Sequence, residues 1–109
     1  MTFHTIEKIK NLIEFNDEAV NTKILAKSDN NLALLGALKK DQLMPEHISP
    51  VDAFIFIIEG EIEFTIYENP NTEEQTLCKL KEGDIFFFKA NERHFLTGKK
   101  DSRFLVIRM

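Results

Sequence analysis

Two histidines carry most of the chemistry that this chain could perform. His47 lies in Pro45-Glu46-His47-Ile48-Ser49-Pro50, and His94 closes the stretch Asn91-Glu92-Arg93-His94. Imidazole changes its charge near neutral pH and is the commonest neutral ligand of divalent metals, so either residue suits proton transfer, hydrogen bonding or metal contact. The prolines at 45 and 50 fix φ and withhold backbone donors at both ends of a loop. His47 and Ser49, one alternation apart, are thus presented on one side of a stiffened backbone. A hydroxyl followed by proline also suits closing a turn. A lone histidine is commonly bonded to backbone or water; what lifts these two above that reading is set out below. His4 lies in a terminus and carries no signal. Cys78 is the single cysteine and shares a strand face with Leu80, which suits a small buried hydrophobe better than a nucleophile.

The loop around His47 runs into Asp52–Ile58, a strand that is apolar on both faces, with Phe54, Phe56 and Ile58 on one and Ala53, Ile55 and Ile57 on the other. Glu59-Gly60 reads as a tight hairpin turn, because glycine accepts a positive φ. The strand Glu61–Tyr67 then alternates cleanly, with Ile62, Phe64 and Ile66 facing inward. Upstream, Ile6 to Phe15 has a helix-like apolar spacing. Thr22–Lys27 and Leu32–Leu38 form a hairpin about Ser28-Asp29-Asn30-Asn31, with Gly36 marking a close backbone approach. Downstream strands are expected at Gln75–Leu80, Asp84–Phe88, Arg93–Thr97 and Arg103–Ile107, after an exposed polar loop over residues 68–74. About eight short strands at even spacing, with hardly any helix, indicate a sandwich or small barrel.

The 109 residues fit one domain, residues 1–109, able to bury roughly 65% of its unfolded surface. Phe supplies 10 aromatics and Tyr 1, so the core is bulky and short of polar handles. A net charge of -4 with interspersed signs offers no positive field to a phosphate backbone, which argues against nucleic acid as a partner. One cysteine forbids an internal disulfide and a Cys-rich zinc site. With no apolar run near 20 residues and no signal segment at the start, no membrane partner and a cytoplasmic location are expected.

These stretches together resemble the cupin superfamily. The first cupin signature, a glycine, a His-x-His pair, a carboxylate and a hairpin glycine, aligns with Pro45-Glu46-His47-Ile48-Ser49 and ends at Glu59-Gly60. Ser49 stands in place of one histidine and Ala53 in place of the carboxylate. The second signature aligns with Gly83 through His94. The resemblance implies an all-β, cupin-type antiparallel jelly-roll β-barrel, with its core over about residues 22–109 behind a short irregular or helical N-terminal segment. It also implies that His47 and His94 line one cavity, with Ser49 as a further ligand-binding candidate. In metal-binding cupins these positions hold a divalent ion. Here only His47 and His94 remain as ligands, so zinc, iron, manganese or nickel would be bound weakly. Asp52 is adjacent, but alternation turns it to the opposite face.

The function expected on this basis is binding of a small polar molecule in the barrel mouth beside His47 and His94. The alternatives are a metal-dependent isomerase or dioxygenase with a two-histidine site, and a metal-free acid–base enzyme using His94 as proton shuttle. The doubly apolar Ala53–Ile58 strand and the run Phe86-Phe87-Phe88 leave an outward apolar surface, from which a homodimer is expected.

Overall fold

In the computed structural model, which describes residues 5–68 and 71–109, a 3-10 turn at Ile9–Asn11 precedes nine strands. These are β1 (Asn21–Ser28), β2 (Asn31–Leu38), β3 (Leu43–Ile48), β4 (Ala53–Glu59), β5 (Glu61–Tyr67), β6 (Gln75–Lys81), β7 (Ile85–Phe88), β8 (Arg93–Gly98) and β9 (Ser102–Arg108). They form two antiparallel sheets, in the orders β1-β2-β9-β4-β7 and β3-β8-β5-β6. Period-two alternation decides what lies between them: Ala53, Ile55 and Ile57 of β4, Ile62, Phe64 and Ile66 of β5, and Phe104 and Val106 of β9 all point into one core. Among the described residues, no helix is long and apolar enough to cross a membrane.

Three expectations need correction. The jelly roll is not closed into a barrel, because no ladder joins the edge strands β1 and β7 of one sheet to β3 and β6 of the other. Phenylalanine and branched aliphatic side chains separate the sheets, and face-to-face packing holds backbones about 10 Å apart, beyond hydrogen-bonding reach. Second, the proline loop is in large part a strand. β3 pairs with β8, and their register shifts between Met44 and His47, which leaves Pro45 and Glu46 in a bulge. A bulge is where a residue without an N–H can sit inside a sheet. Third, Glu59-Gly60 does not make β4 and β5 partners: β4 pairs with β7 and β9, and β5 with β6 and β8. The chain changes sheets at Gly60, whose φ is 91°. A Cβ there would lie 2.2 Å from Ser102 Oγ and 2.5 Å from the Asp101 carbonyl oxygen, so only glycine lets β9 begin this close. The buried Ser102 hydroxyl accepts from Glu61 N at 2.9 Å and donates to Lys100 O at 2.7 Å.

The close approach expected at Gly36 exists, but it is made by an aromatic ring. An added Cβ would stand 2.1 Å from Cζ of Phe104, the cross-strand partner of Gly36. On the outer face of the five-stranded sheet, the N-terminal segment covers β2 and β9. Ile13 is buried with Leu35 and Ala37, flanked by Leu12, Phe15 and Leu105. Arg103 fastens it, donating from Nε to Ile13 O at 3.0 Å and stacking over Phe15 at 4.3 Å. Farther along that face Phe56, Ile85 and Phe87 stay exposed, Phe87 at 69%.

Candidate functional site

His47 and His94 are direct cross-strand partners of β3 and β8. Opposed residues of an antiparallel pair point to the same face, so a separation of 47 positions in the chain becomes a contact. The two Nε2 atoms lie 2.9 Å apart, and the ring centroids 4.2 Å. Each Nδ1 is also 2.9 Å from a backbone carbonyl oxygen, that of Pro45 for His47 and that of Glu92 for His94. Carbonyl oxygens only accept, so each of these contacts requires a proton on Nδ1. The contact between the Nε2 atoms needs one proton more. All three are hydrogen bonds together only when one ring carries both of its protons.

Burial sets the state of one ring. His94 is 1% exposed, stacked on Phe64 at 5.0 Å and tilted against Phe88 at 4.8 Å. Its pKa is lowered from 6.5 to about 4, chiefly by removal from water and in smaller part by the positive charges of His47 and Arg108, against the raising effect of Glu92. His94 is therefore neutral, and with its proton on Nδ1, toward the Glu92 carbonyl, its Nε2 faces the half-buried His47 as an acceptor.

The pair borders a cavity of about 20 Å³ between the sheets, walled by Leu34, Met44, Ile55, Phe64 and Phe88. That space holds one or two waters, or the head group of a small molecule. One further polar residue lines it: Arg108, the last residue of β9. Alternation along Ser102, Phe104, Val106 and Arg108 puts its side chain on the core face. Across the sheet it is opposed by Ala53 of β4 and Leu32 of β2. The same alternation read from the sequence would have found Arg108, which stands as a charge on an otherwise apolar strand face.

The structure does not bring Ser49 to this cavity. Its buried hydroxyl donates to Val51 O at 2.6 Å, closing a turn, while its carbonyl accepts from Asn91 N at 2.8 Å. Those bonds tie the β3–β4 connection to the β7–β8 turn and so support both histidine strands. Asp52 also faces away: Oδ1 accepts from Ala90 N at 2.8 Å. Cys78 is half-buried and packs against the main core.

A divalent metal finds few donors here. Two imidazole nitrogens converge, but no group of three or more His, Cys, Asp or Glu side chains among the described residues could hold an ion. The one charged neighbour, Arg108, is a cation. This set does not fit a resident divalent metal, which needs three or four donors and gains most from anionic ones.

Two stacked antiparallel sheets, joined in this order, with facing histidines between them at one end, define a jelly-roll domain of the cupin class. The comparisons agree. A family profile described as "Cupin domain" matches residues 35–108, and the chain belongs to that family. Among solved structures, a conserved protein of unknown function from Streptococcus pyogenes superposes with a TM-score of 0.84 at 19% identity, covering 100% of this chain and 90% of the other. A cupin superfamily protein from Desulfitobacterium hafniense gives a TM-score of 0.79 at 23% identity over 91% of this chain and 84% of its own. An RmlC-like cupin protein from Desulfovibrio desulfuricans gives 0.76 at 19% identity, covering 98% and 94%. These likenesses show the fold. No curated protein matches the chain.

Proposed function

We propose that this cupin binds a small polar molecule whose head group enters the cavity between the sheets, where His47 and His94 contact it. The observation that carries this reading is the histidine pair, two imidazoles with Nε2 atoms 2.9 Å apart inside an otherwise apolar chamber. A purely structural core has no use for such a pair, since burying polar groups is unfavourable and an apolar pair of similar volume would pack as well. The backbone anchors at Pro45 O and Glu92 O hold both rings, so their Nε2 atoms are preorganised for a ligand that would replace the contact between them.

The test is nuclear magnetic resonance of the imidazole nitrogens of His47 and His94 during titration with a fragment set of small alcohols, amides and carboxylates. At least one fragment is expected to shift both residues at millimolar concentration. If none does, the binding reading is wrong. Elemental analysis of untagged protein prepared without added metal addresses the metal-dependent alternative: near-stoichiometric metal would favour that enzyme reading over a binding module.

A further inference from the structure

The cupin signature has a carboxylate at the position of Ala53, yet the cavity carries charge of the opposite sign. Ala53 places only a methyl group on the core face, and the residue directly across the ladder is Arg108. Among the described residues the ion pairs are Lys10–Glu59, Lys39–Asp17, Arg93–Glu46, Lys99–Glu63 and Arg103–Glu59, and none includes Arg108. Asp52, the chain neighbour of Ala53, is engaged with Ala90 N. A half-buried cation without a counter-ion, bordering an apolar chamber, gains from an anion that completes it.

We propose that the cavity is an anion site for a small monocarboxylate, held by the Arg108 guanidinium and the His47–His94 pair. This rests on the ligand-binding reading above and names its chemical class. Three features select a carboxylate. Guanidinium presents two parallel N–H groups that match the two carboxylate oxygens. A space of about 20 Å³ admits a small planar head and leaves the rest of the ligand at its mouth. The apolar walls, Leu34, Met44 and Val106 among them, disfavour a second charged group. Arg108 also borders an open groove of about 250 Å³ beside Ala26, Asn31, Leu32 and Met109, so the arginine is reachable from solvent.

The experiment titrates the full chain with isobutyrate and, separately, with its uncharged isostere isobutyramide, following the side-chain resonances of His47, His94 and Arg108. Wild type should bind isobutyrate at least tenfold more tightly than isobutyramide, the equivalent of one charge-assisted hydrogen bond. Arg108→Gln should weaken isobutyrate binding by about tenfold or more and isobutyramide binding by much less, while Arg108→Lys should recover part of the isobutyrate loss. Circular dichroism and thermal unfolding of both variants establish that they are folded, and the Lys variant preserves the test if the Gln variant is not. Equal affinity for the two probes, or an isobutyrate affinity indifferent to Arg108→Gln, overturns the anion assignment while the binding reading stands. If neither probe moves the cavity resonances, the anion assignment falls, and the fragment titration above decides the binding reading separately.

Discussion

Lowering the pH should destabilise this protein through His94, and the size of the effect follows from its burial. In the unfolded chain His94 protonates near 6.5; in the folded chain, sealed between Phe64 and Phe88, it does so near 4. A base whose folded pKa is depressed contributes stability that is fully present above the unfolded value. That contribution is lost as pH falls from 6.5 through 4, because only the unfolded state takes up the proton in that window. At about 1.4 kcal/mol per unit, the full difference is about 3 kcal/mol, and at pH 5 about 2 kcal/mol is already gone. The perturbation that isolates it is His94→Gln, which keeps a hydrogen-bonding side chain and removes the titration. Urea unfolding of wild type and variant at pH 7.5 and pH 5.0 gives four stabilities. Wild type should lose about 2 kcal/mol more than the variant over this interval, a midpoint shift of roughly 1 M urea. The exposed pair of Asp17 and Lys39, which holds the Asp17 carboxyl below its ordinary value, is common to both proteins and cancels in the difference. Equal losses in the two proteins would refute the claim that His94 is held neutral by burial.

Gly36→Ala should destabilise by about 1–3 kcal/mol, since its Cβ would stand 2.1 Å from the Phe104 ring, and the added change Phe104→Leu should restore part of that loss in thermal unfolding. Calorimetric titration of chelator-treated protein should give a zinc affinity weaker than about micromolar, because only two neutral donors converge; nanomolar binding would show that further donors join them. The chain should sediment as a homodimer at micromolar concentration through the exposed face bearing Phe56, Ile85 and Phe87, an interface that must bury at least about 1,000 Å² in total. A mass near 12.7 kDa that persists on concentrating would exclude it.

Where one strand face alone determined an element, its residues declared it. β5 is legible because Ile62, Phe64 and Ile66 alternate with polar neighbours, and the β1–β2 hairpin because Asp29, at a φ of 50°, sits in a turn rich in Asp and Asn. What escaped was decided by partners distant in the chain. β3 reads as a loop because Pro45 and Pro50 forbid regular pairing; only the presence of β8 beside it, and a bulge to absorb Pro45, make it a strand. The role of Gly60 escaped for the same reason. Its positive φ is as consistent with a hairpin as with a change of sheet, and the deciding contact, with Ser102, lies 42 positions downstream of Gly60.

The site divides along the same line, and the division explains why a comparison of ligand positions misdirects. His47 and His94 are visible as residue types at familiar spacing, and register then makes them neighbours. Ser49 and Ala53, read as losses from a metal site, have different meanings once their surroundings are known. Ser49 spends its hydroxyl on the turn that joins the two histidine-bearing regions, so it supports the pair without facing the cavity. Ala53 is the small residue opposite a large cation, and a glutamate there would pair with Arg108 across the ladder and neutralise it. The change at one position and the arginine at the other thus act together: a chamber whose architecture can gather ligands around a cation is lined instead by imidazoles and a guanidinium, groups that attract negative charge. Reversing the sign of the field inside an unchanged sandwich takes only a few side chains, and the anion site proposed above would need no change to the core that carries it.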